Sequence, residues 1–91
     1  MPKLFMINGY QISIWSNENG EAMHVHVSKK KPGKNSVKLW LLSDGTFIKA
    51  NPNDKRISDT ELRKIIAKLQ PQAEYVKQFW INYHGYEKYI M

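Results

Sequence analysis

The sequence has no cysteine, which excludes disulfides, iron–sulfur clusters, cysteine zinc sites and thiol nucleophiles and agrees with a reducing compartment. Four prolines and five glycines in 91 residues are too few for a collagen-like or low-complexity chain. No window reaches the roughly 18 consecutive apolar residues that a membrane-spanning helix needs. Residues Met1 to Ile14 lack the basic start, long apolar stretch and small-residue cleavage site of a signal peptide. A soluble, cytoplasmic protein with no membrane partner is therefore expected. Acidic residues are scarce too: eight Asp and Glu face fourteen Lys and Arg, for a net charge of +6 and a pI near 9.6. That balance favours polyanionic partners. Nothing in the sequence requires a cofactor.

What is present fits one globular domain over residues 1–91, with 42% hydrophobic and 24% charged residues. At this size folding removes only about 60–65% of the unfolded chain's surface, so most large apolar residues must help fill a thin core. An α+β arrangement is predicted, an antiparallel sheet of four to five strands within residues 1–50 and two C-terminal helices within 58–85 packed on one of its faces. Period-two alternation marks strands at Lys3 to Ile7, Tyr10 to Ser16, Met23 to Ser28 and Ser36 to Leu42, with a short fifth at Thr46 to Ala50. The two-residue Asn8-Gly9 step is the strongest hairpin signal. After Arg56 the period changes. Ser58 with Glu61 forms a capping-box pattern, and Leu62, Ile65, Ile66 and Leu69 follow on one helical face, giving a helix from Asp59 to Gln70. Pro71 opens a second helix whose apolar stripe runs through Ala73, Val76, Phe79, Trp80 and Tyr83 to a cap at Gly85. Trp80 and Tyr83 are expected in the core, with His84 at the helix end as a dipole-favoured cap.

Alternation assigns Ile12, Ile14, Val25, Val27, Val37, Leu39 and Leu41 to the helix-covered face. The opposite face should then carry Gln11, Ser13, Trp15, His24, His26, Ser28, Lys38 and Trp40. Two readings stand side by side. The indoles form a small cluster that shields the sheet or meets a second copy, or the face is a recognition surface.

His24 and His26 would project from one side of one strand, with Cα atoms about 6.5–7 Å apart. Two neutral imidazoles at that spacing can share a metal ion, given a third ligand from Glu18, Glu21, Asp44 or His84. Without metal they can act as a catalytic base and acid. RNA is the natural substrate for that chemistry, since its 2′-hydroxyl is an internal nucleophile and lysines can stabilise phosphate charge. A His-x-His triplet also arises often by chance, and paired strand histidines can simply be hydrogen-bonded structure.

Charge is unevenly spread, with nine Lys and Arg against four acids in residues 1–57 and five against four in 58–91. Lys29, Lys30, Lys31, Lys34 and Lys38 are uninterrupted by any acid. Such a run can be a solvated loop that opposes edge pairing. Beside Trp15 and Trp40 it instead offers the mixture of cations and stacking surfaces used for single-stranded nucleic acid. Twelve Lys to two Arg suits phosphate attraction more than base reading.

The stretch Ile12 to Trp15, then Ser16-Asn17-Glu18, His24-Val25-His26-Val27 and a lysine-containing turn resembles the small bacterial domain-of-unknown-function family 4160. Ser58 to Leu62 and the helix carrying Trp80 extend the likeness over most of the chain. The resemblance implies an α+β fold with an HxH strand and brings no established activity. It also implies a gene beside another small gene, as in a toxin–antitoxin or regulatory pair, and hence a cognate protein partner. The leading expectation is a nucleic-acid-binding module for RNA. A ribonuclease using His24 and His26, a metal-binding domain and a protein-interaction domain are its alternatives.

Overall fold

The computed structural model describes residues 3–14, 20–29 and 36–90. Five strands, β1 (Lys3–Ile7), β2 (Tyr10–Ser13), β3 (His24–Ser28), β4 (Val37–Leu41) and β5 (Phe47–Lys49), form one antiparallel sheet in sequence order. Asn8 and Gly9 both take positive φ, 53° and 82°, as a two-residue hairpin turn with the right-handed strand twist demands. In such a meander the β1–β2 turn and the β3–β4 connection share one end of the sheet. The β2–β3 connection and the β4–β5 turn share the other.

The helical half is more continuous than the sequence suggests. Helix α1 (Asp59–Leu69) passes through a 3-10 turn at Gln70–Gln72 directly into α2 (Ala73–His84), so the expected pair is one joined run. Pro71 sits in that turn, where its missing N–H costs no helical bond. The Ser58 side chain accepts from the Glu61 N–H at the start of α1, and Gly85 ends α2 in the left-handed region, its N–H donating to Ile81 O.

Cross-strand register defines two faces. Phe5, Ile12, Val27 and Val37 align in one row, Val25 and Leu39 in a second, and Leu41 and Phe47 in a third. These residues join Leu62, Ile65, Leu69, Val76 and Trp80 in a single apolar cluster. The reverse face carries Met6, Gln11 and Ser28, then Ser13, His26 and Lys38, then His24, Trp40 and Ile48.

Polar anchors fix the helices to the sheet. Lys49 of β5 pairs with Asp59 in the first turn of α1, and Lys68 in its last turn donates to Asn8 Oδ1. Beyond α2 the chain returns to the start of β3, where Met23 N donates to Lys88 O and the Tyr86 hydroxyl accepts from Gly20 N and donates to Glu21 O. Among the described residues no helix is long and apolar enough to cross a membrane.

Between β5 and α1 the chain is clasped by Asp54, which is buried and accepts from the Arg56 N–H, Nε and Nη2. The Arg56 guanidinium bonded to it outweighs burial and holds the Asp54 carboxyl below its ordinary value. The resulting stabilisation is complete above about pH 4, the unfolded aspartate value, and is lost as pH falls through the lower folded value. Asp54→Asn should therefore be less stable than the native chain at pH 7, by about 1–3 kcal/mol, with the gap narrowing below pH 4. Urea melts at several pH values check this. A pH-independent gap would contradict it.

Candidate nucleic-acid interface

All five residues of β3 are buried, so the strand carrying the histidines has no open side. The register does put His24, His26 and Trp40 on the face opposite the apolar rows, as expected, but that face is covered at both histidines and so is not an open recognition surface there; Trp15 lies outside the described residues. His24 is 0% exposed and His26 4%. The His24 ring stands edge-on to His26 and Trp40, with centroids 5.1 and 5.5 Å away, and lies 5.0 Å from Trp80 of α2. A central strand has neighbours on both edges, and His24 sits at the end where α2 and the C-terminal segment close. Alternation places a side chain on a face but does not say whether that face is covered.

Each ring has a contact through Nδ1 among the described residues. A carbonyl only accepts, so His24 Nδ1–H donates to Ala22 O at 2.7 Å. His26 Nδ1 lies 3.4 Å from the Ser36 hydroxyl, a long contact. A catalytic acid and base must reach the reacting atoms, and with both rings this enclosed neither imidazole is presented to an RNA backbone in this arrangement.

Among the described residues no three His, Asp or Glu side chains come together as a metal site. Of the expected third ligands, the Glu21 carboxylate pairs with Lys38, and Asp44 accepts from the Thr46 N–H and hydroxyl. The His84 ring packs on Trp80, while Glu18 lies outside the described residues.

The nucleic-acid set divides differently. Trp15, Lys30, Lys31 and Lys34 lie outside the described residues. Lys38 and Trp40 do come together, but Lys38 Nζ is bound to Glu21 and sits 4.3 Å above the Trp40 ring, so its charge is already compensated. Lys29, at the end of β3, is exposed and forms no ion pair among the described residues.

Three further cations lie on α1, which sequence reasoning left out. Arg63, Lys64 and Lys68 are exposed, and none has an acidic partner among the described residues. Of the acids near them, Glu61 lies on the same helix, and two others are engaged elsewhere. Asp59 accepts from both Lys49 and Lys55, whose hydrogen bonds hold its carboxyl below the usual carboxylate range, and Glu74 pairs with Lys77. Because Lys68 reaches Asn8 in the β1–β2 turn and Lys29 opens the β3–β4 connection, these cations gather towards one end of the sheet. A near-zero balance over residues 58–91 hid them, although the Lys64 and Lys68 spacing of one helical turn was there to read.

A five-stranded antiparallel meander carrying a joined helical run on its apolar cluster is an α+β domain, with its uncompensated charge outside and its histidines inside. The family described as Domain of unknown function (DUF4160) matches residues 9–81, and the chain belongs to it. No curated protein and no solved structure matches the chain.

Proposed function

We propose that the protein binds single-stranded nucleic acid, RNA in the first instance, through the cations of α1 and the start of the β3–β4 connection. The observation that carries this reading is the set Arg63, Lys64 and Lys68, exposed together on one helix with no ion pair among the described residues, where Asp59 is held by Lys49 and Lys55 and Glu61 is the one further acid of the helix. Uncompensated cations release counterions from a phosphate backbone, which gives affinity without sequence choice. The excess of Lys over Arg supports the same conclusion. The buried histidines contribute to the fold, and no cleavage is assigned to them.

Fluorescence anisotropy with a labelled 12-nucleotide RNA between 50 and 200 mM salt tests the proposal. The affinity should fall steeply with salt. Arg63→Glu/Lys64→Glu/Lys68→Glu should bind at least about tenfold more weakly at 50 mM, with the slope of log K against log salt shallower by about 2. No binding by the native chain at 50 mM salt would reject the proposal.

A further inference from the structure

We infer that Tyr75, Phe79 and Tyr83 of α2 form a stacking platform for the bases of a single-stranded RNA, an inference that rests on the nucleic-acid reading above. The three rings recur every fourth residue and so share one side of the helix. Their centroids lie 6.2 and 6.3 Å apart, with Phe79 and Tyr83 inclined by only 25°. Phe5 of β1 extends the row, 5.8 Å from Tyr75.

Phe79 is half-buried and leans on the core, as Phe5 does, but the outer two rings are not what the core takes from α2. That role belongs to Val76 and Trp80, both 0% exposed, whereas Tyr75 is 49% and Tyr83 44% exposed. Tyr83 is thus a surface residue, contrary to the expectation that it joins the core. On the helix side nearby Gln78 and Asn82 are neutral, and the exposed Glu74 carboxylate is paired with Lys77 and accepts from Gln78. Phe5 also connects the row to the basic end of the sheet. It lies on the same strand that leads into Asn8, which Lys68 holds.

Area and charge decide the occupant. A fully buried aromatic ring covers about 150–250 Å², so three partly covered rings offer on the order of 300 Å². A stable protein interface needs about 800 Å² from each partner. A second copy of this chain would also bring its own excess of positive charge to the row. A flexible polyanion whose bases have apolar faces meets neither obstacle. Each base stacked on an aromatic side chain contributes about 1–3 kcal/mol by alanine substitution, whatever its identity.

The test compares a mixed-sequence 12-nucleotide RNA with an abasic 12-mer of equal charge, alongside sedimentation of each protein. Tyr75→Ala/Tyr83→Ala should bind the RNA at least about tenfold more weakly while binding the abasic strand as the native chain does, with an unchanged salt slope. Tyr75→Phe/Tyr83→Phe should keep native affinity, because the ring face and not the hydroxyl makes the contact. Thermal melting confirms that each variant is folded. Native affinity in the alanine variant would overturn the platform and leave the basic surface standing. Loss of all binding by the native chain would overturn both, and a native dimer converted to monomer by the alanine pair would show that the row is a self-association surface instead.

Discussion

Trp80→Ala should remove about 3–5 kcal/mol of stability, the usual cost of truncating a large buried aromatic. For a domain of this size the total is of the order of 5–14 kcal/mol, so the variant is left marginal. Trp80 is 0% exposed, and its ring packs against His24 of the central strand and against His84 and Tyr86. Deleting the indole therefore opens a cavity between the sheet and the segment that returns to Met23. One effect works the other way. Trp80 Nε1 is buried with no hydrogen-bond partner among the described residues, so the native chain carries an unsatisfied donor. Trp80→Phe removes that donor and keeps most of the apolar ring, and should be far less damaging than alanine. Urea unfolding of the two variants measures both terms. A loss below about 1 kcal/mol for Trp80→Ala would show that α2 is not anchored through this ring.

His24→Ala should cost about 2–4 kcal/mol and leave RNA binding by the folded fraction unchanged. The imidazole fills space bounded by Trp40, His26 and Trp80, and its Nδ1–H satisfies the buried Ala22 carbonyl. Alanine removes the volume and strands the acceptor. His26→Ala should also be destabilising, because its ring is equally enclosed. The result separates two accounts of the pair. If His24→Ala were as stable as the native chain yet lost an activity on RNA, the imidazole would belong to a site.

Much of the architecture was legible because its signals are local. The Asn8-Gly9 turn needs two positive φ values, which that dipeptide tolerates, and the capping serine and terminal glycine of the helical run each satisfy an end that any helix must satisfy. Alternation correctly sorted Ile12, Val25, Val27 and Leu39 into the core. The other face was misread for a tertiary reason. Polar and aromatic residues between apolar ones suggest an open surface, but His24 and His26 lie on the middle strand, where indoles from β4 and α2 close over the first of them. The join between α1 and α2 was missed because proline in a sequence marks a boundary, whereas a 3-10 turn absorbs it without ending the run. The exposed cations of α1 were missed because net charge cannot show which acids are already paired.

Amide chemical-shift mapping during titration with the 12-nucleotide RNA tests the central claim most directly, since it reports where the strand touches. Perturbations should concentrate at Lys29, at 63–68 in α1 and at 75–83 in α2, and should fade together as salt rises. Perturbations centred on His24 and His26, with α1 silent, would contradict the account and return the imidazoles to the functional site.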